Sequence, residues 1–98
     1  MNTASVISQW EDPKFSDEEQ FYTFDWADRL GEGETIVGTP EADGLGGITV
    51  LSHAIQGTIS QLKLGGGTVG QRTGVHMLAT TSTAQKVGVT VLLDIVPI

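Results

Sequence analysis

The sequence predicts an all-β fold, a small antiparallel β-sandwich with an extended N-terminal arm, and three observations carry that reading. Nine Val, seven Ile and twelve Thr make 28 of the 98 residues β-branched, and such side chains favour pleated strands. Thirteen glycines fall mostly between the apolar runs, where turns need them. Apolar and polar residues alternate at period two toward the C-terminus, and strand starts recur at a spacing of roughly 8–14 residues, the rhythm of a small sandwich. A chain of this length buries roughly two-thirds of its unfolded surface, enough for one core between two layers. With no cysteine in the sequence, packing and backbone pairing must hold that core.

Taken in order, residues 1–15 read as an arm and residues 16–98 as a single sandwich domain. The arm has scattered apolar positions (Val6, Ile7, Trp10 and Phe15) among acids, Pro13 and polar residues. Such a segment gains too little burial to fold on itself and is expected to be mobile until it docks on a partner. Ser16 and Glu19 have capping-box spacing. Phe21–Trp26 is the first domain strand, with Tyr22, Phe24 and Trp26 on one face and Phe21, Thr23 and Asp25 on the other. Asp25 can cap a single turn through Leu30 that Gly31 ends. Short strands at Glu34–Val37 and Gly47–Leu51 flank a Pro40–Gly47 loop rich in turn residues. Thr58–Leu64 aligns Leu62 with Leu64, and Gly74–Thr81 aligns Val75, Met77 and Ala79. The last strand is the clearest, with Val87, Val89, Val91, Leu93 and Ile95 alternating with Lys86, Gly88, Thr90, Leu92 and Asp94. The expected core is therefore Phe24, Trp26, Leu30, Ile36, Leu62, Leu64, Val75, Met77, Val89, Val91 and Leu93.

The net charge of −7 is unevenly placed. Residues 1–44 hold eleven acids against two bases, whereas residues 45–98 hold Asp94 against Lys63, Arg72 and Lys86. Phosphate contact needs clustered Lys and Arg, so nucleic acid is not an expected partner. No apolar run reaches the roughly 18 residues of a membrane span, and no membrane partner is expected. An acidic N-terminal half is either a solvated face or a surface that meets a basic protein.

Catalytic and cofactor motifs fail on inspection. Gly65-Gly66-Gly67-Thr68-Val69-Gly70 is followed by Gln71 and Arg72, not by the Lys and Ser or Thr of a phosphate loop, and no helix follows it. A hairpin connection using glycine at positive φ is the expectation there. None of the acidic clusters has calcium-loop spacing, and a paired-carboxylate hydrolase needs a cleft that so short a sandwich has little chain to build. His53 and His76 lack the short spacing of a metal-ligand pair, and no Gly-x-Ser-x-Gly elbow supplies a nucleophile. The expectation is a non-enzymatic binding or assembly module with no cofactor and no metal.

The run Phe24-Asp25-Trp26-Ala27-Asp28-Arg29-Leu30, followed by Gly33-Glu34-Thr35-Ile36, resembles the opening of small tailed-phage virion proteins called fibre-tail adaptors. Leu64-Gly65-Gly66-Gly67-Thr68-Val69-Gly70 is similar to that family's Gly-Gly-Thr-x-Gly connection. Thr80-Thr81-Ser82 is similar to the end of its next strand, and a Val-rich strand closes both. The ordered match spans roughly residues 12–96. It implies an immunoglobulin-like sandwich that bridges fibres to the tail, present in multiple copies in a virion assembled in the host cytoplasm, its partners other virion proteins. It supplies no catalytic residues. The family usually places an aromatic residue soon after the glycine connection, where this chain has Gln71-Arg72-Thr73, which puts Arg72 among the partner-contact candidates. Trp10 as aromatic anchor, Phe15, and the acids Glu11, Asp12, Asp17, Glu18 and Glu19 complete the expected interface. Two other readings stay open at this point: a capsid decoration or neck protein, and a non-phage sandwich that binds carbohydrate or protein.

Overall fold

Alternation of apolar side chains on strands buried on one face is the main organiser of the structure, a computed structural model that describes residues 6–97. Residues 1–5 of the expected arm and Ile98 lie outside the described residues. In chain order the strands are β1 (Val6–Gln9), β2 (Lys14–Phe15), β3 (Gln20–Asp25), β4 (Ile36–Leu45), β5 (Ile48–Gln56), β6 (Ile59–Gly66), β7 (Gly74–Thr81), β8 (Lys86–Leu92) and β9 (Ile95–Val96), with one 3-10 turn at Ala27–Arg29. One sheet has the order β1-β8-β7-β4, the facing sheet the order β3-β6-β5, and β2 pairs with β9. Counting from β3, these are the B-E-D and C-F-G sheets of an immunoglobulin sandwich.

The core forms between those two sheets. Val75, Met77 and Ala79 of β7 lie opposite Val91, Val89 and Val87 of β8. All six are buried, so this register directs two complete faces inward. Tyr22, Leu62, Leu64 and Ile48 close the layer from the other sheet, joined by Trp26 and Leu93. Of the expected core, Phe24, Leu30 and Ile36 are only partly buried and pack at its margin. Tyr22, Ile48, Ala79 and Val87 take fully interior places instead. Trp26 is 0 % exposed; its indole N–H donates to the Ser60 hydroxyl at 2.9 Å and its ring meets Phe24 edge-on at 5.1 Å. A buried indole needs such a partner for its N–H. The single turn expected after Asp25 is the 3-10 turn, and an Asp25 carboxylate oxygen accepts the Ala27 N–H at 2.9 Å.

Three expectations are corrected. The Pro40–Gly47 loop is strand almost throughout, since β4 runs on to Leu45 and reverses into β5 through Gly46 and Gly47 alone. Pro40 is tolerated because β4 is an edge strand and its pairing with β7 skips from Val37 to Glu41, where no donor is required. The glycine run is not a hairpin between neighbouring strands. Gly65 and Gly66 finish β6, and residues 67–73 cross from one sheet to the other. A Cβ on Gly67, at φ +104°, would lie 2.6 Å from the Ile95 side chain, so that residue is fixed by both its backbone angle and its neighbour.

The third correction concerns the arm. Residues 6–9 do not extend free of the domain but pair in parallel with Val89–Leu92 of β8, and Lys14–Phe15 pair in parallel with Ile95–Val96. Among the described residues these two short pairings are parallel and the other ladders antiparallel. The segment cannot fold on its own apolar content, but the edge of β8 offers it a ladder of unpaired backbone groups.

Candidate functional site

The pairings bring most of the expected interface to one end of the sandwich. β2 and β9 set the turn at residues 16–19 beside the end of β6, so that Glu19 Cγ lies 3.5 Å from the place a Cβ on Gly65 would occupy. The 67–73 connection starts at the same place. Its Gly67 and Thr68 N–H groups donate to the Gly47 and Gly46 carbonyls at 3.0 and 3.1 Å, and Thr73 exchanges bonds with Leu93. Arg72 is exposed on this connection.

Lys14, absent from the expected set, anchors this end. Its side chain is 0 % exposed, and its ammonium donates to the carbonyls of Gly66 at 2.5 Å and Phe15 at 2.7 Å. Burial pushes its pKa below the usual lysine value, while the carboxylates of Glu18, Asp17 and Glu19 pull it back up. Phe15 is left 42 % exposed, its N–H held by a Glu18 carboxylate oxygen at 2.7 Å. Asp17 and Glu19 are exposed, and Glu18 is half-buried.

Trp10 is held by the domain itself. Its backbone N–H donates to Leu92 O at 2.9 Å, its indole N–H to Thr23 O at 2.7 Å, and its ring lies 5.1 Å from that of Tyr22 at a 43° tilt. The indole thus covers part of the outer edge of β3, and the ring is half-buried before any partner arrives. Glu11 and Asp12 follow it, both exposed. The Tyr22 hydroxyl donates to Asp12 O at 3.3 Å, and its pKa is raised by burial first and then by the Glu18 and Asp12 carboxylates. Exposed Glu11, Asp12, Asp17 and Glu19 and the partly exposed Trp10 and Phe15 rings give this end acidic and aromatic surface.

Sequence reasoning missed Lys14, Tyr22 and Phe21 as parts of this end. A lysine beside a proline carries no sign of burial, since lysine is rarely interior. Phe21 did carry a signal, because its alternation with Tyr22 points it outward; it is 60 % exposed, with Lys63 Nζ 5.6 Å from its ring centroid. The histidines are elsewhere. His53 Nε2 lies 2.9 Å from the Ser60 hydroxyl, and His76 Nδ1 lies 2.9 Å from that of its cross-strand neighbour Thr90. Among the described residues no group of three His, Asp or Glu side chains converges on a point that could hold a metal ion.

The geometry thus defines an immunoglobulin-type sandwich with an acidic, aromatic end. The chain belongs to the family described as podophage GP4 fiber-tail adaptor protein gp77, which matches residues 14–94. It is accordingly a structural component of a phage tail that binds other virion proteins. The matched span begins at the buried Lys14 and ends just before β9, leaving β1 and Trp10–Asp12 outside it. No curated protein and no solved structure matches the chain.

Proposed function

We propose that the chain is a non-enzymatic adaptor that links tail fibres to the tail by protein–protein contact, in multiple copies per virion assembled in the host cytoplasm. The observation that carries this reading is the family match from Lys14 to Asp94, which takes in all of both sheets except β1. The contact surface in this reading is the end formed by Trp10, Glu11, Asp12, Phe15, Asp17, Glu18, Glu19 and Arg72. Phe15 supplies exposed apolar area, and the surrounding acids steer a basic partner and make the encounter salt-sensitive. Trp10, already packed on Tyr22, acts as a preformed wall of the surface, so little side-chain entropy is lost when a partner meets it. Virions produced without this chain test the reading. Tails lacking fibres are the expected product, and particles that keep a full set of fibres would overturn it.

A further inference from the structure

Between the Gln9–Asp12 segment and β3 lies a groove of about 320 Å³, bounded by Trp10, Glu11 and Asp12 on one side and by Phe21, Tyr22 and Thr23 on the other. Its arm-side wall lies outside the family-matched span. The walls are built, not incidental. Trp10 is fixed by two hydrogen bonds and by ring contact with Tyr22. Phe21 is the most exposed large apolar side chain among the described residues. Its ring already takes a cation, the Lys63 ammonium at 5.6 Å from the centroid.

The arm-side rim of the groove carries acids alone, while across the groove the Lys63 ammonium lies over the outer Phe21 ring. Glu11 and Asp12 form the exposed rim, and residues 7–13 contain no lysine or arginine. The base next along the chain, Lys14, faces inward with its ammonium engaged by the Gly66 and Phe15 carbonyls. Burial, and after it the Glu18 and Asp12 carboxylates, raise the pKa of Tyr22 beside the groove.

We infer that this groove receives an arginine side chain of a neighbouring virion protein, the guanidinium lying against the Trp10 and Phe21 rings and donating to the Glu11 and Asp12 carboxylates. Arginine fits better than lysine because its planar, weakly hydrated head can stack on a ring while its remaining N–H groups reach two acceptors. This rests on the reading that the chain contacts other virion proteins, and it adds which residues receive the partner and what chemistry they select. Phe21 and Tyr22 become interface residues, and Arg72, on the inter-sheet connection, takes no part in this contact.

The intact chain, titrated with the blocked peptide acetyl-Gly-Arg-Gly-amide and followed by amide and indole NMR shifts, tests the proposal. Shifts should concentrate on Trp10, Glu11, Asp12, Phe21 and Tyr22, and the lysine analogue of the peptide should bind more weakly. Phe21→Ala should weaken binding roughly three- to fivefold, the size of an exposed cation–π contact, and Glu11→Gln with Asp12→Asn should do so at least as strongly. Glu41→Gln with Asp43→Asn, an equal loss of charge on β4, should leave binding unchanged. Shifts spread over all acidic residues, or an equal effect of the β4 pair, would show attraction to net charge alone and overturn the proposal. If Phe21→Ala lowers the melting temperature, the Glu11 and Asp12 pair decides. Loss of the peptide effect in a protein still incorporated into tails removes the groove and leaves the adaptor; absence of the chain from tails removes the adaptor and leaves the measured groove.

Discussion

Lys14→Met separates two accounts of the N-terminal segment, as a passive tether or as part of the sandwich. Methionine keeps most of the apolar stem and removes the ammonium, stranding the Gly66 and Phe15 carbonyls that it serves at 2.5 and 2.7 Å. Hydrogen bonds to a charged donor contribute about 1.5–3 kcal/mol in such deletions. The opposing term is relief of the cost of stripping water from the ammonium, the same burial that lowers its pKa. With two carbonyls losing their donor, a net loss of about 1.5 kcal/mol or more is expected. For a domain of this size that corresponds to a fall in Tm of about 6 °C or more. Lys14→Ala also removes three buried methylenes, about 2 kcal/mol further, and should melt lower again. The pH dependence gives a second readout. Because the folded pKa lies below the ordinary 10.5, the unfolded chain holds this proton to higher pH than the folded one. Stability from this group therefore rises with pH through the folded value up to about 10.5. Calorimetric melts of wild type and Lys14→Met from pH 7 to 10.5 should show that rise in the wild type and its loss in the variant. A Lys14→Met protein that melts within a degree or two of wild type would show that the buried ammonium does not hold the segment to the sandwich.

Other predictions address the sheets and their ends. Val91→Asp places a charge at a position 1 % exposed, opposite Val75, and should cost several kcal/mol, read as loss of the folded baseline in a thermal melt. Gly67→Ala should destabilise more than Gly70→Ala in urea titrations: both residues have positive φ, but only at Gly67 does the added methyl meet another side chain. The Gly70 change should cost about 1 kcal/mol. Burial lowers the pKa of His53, only partly opposed by the Pro40 carbonyl, so on acidification the unfolded state takes this proton first. Stability should be flat in this respect above about 6.5 and fall as pH drops below 6.5 through the folded value. His53→Gln should flatten that slope in melts from pH 7.5 to 4.5.

The sandwich was legible wherever burial imposes a strict period. In β7 and β8 every second residue meets the opposite sheet, so Val75, Met77, Val89 and Val91 announce themselves. β4 was illegible for the converse reason. As an edge strand it can carry Pro40, Glu41, Asp43 and two glycines, which read as a loop, because one of its sides needs no partner. The acids of the candidate site were visible in the charge distribution, but not the side chains that position them. Lys14 reads as a solvated base until the parallel pairing of β2 with β9 carries it inward. Trp10 reads as a free anchor until Thr23 O is found to accept its indole proton. Both depend on contacts remote in sequence, where local pattern carries no information.

A cryo-EM map of the intact virion tests the account most directly. Copies of this sandwich are expected at the tail, between the tail and the bases of the fibres, with the Trp10–Glu19 end against a neighbouring protein. Density for the domain repeated over the capsid lattice, or at the tail with that end facing solvent, would contradict it.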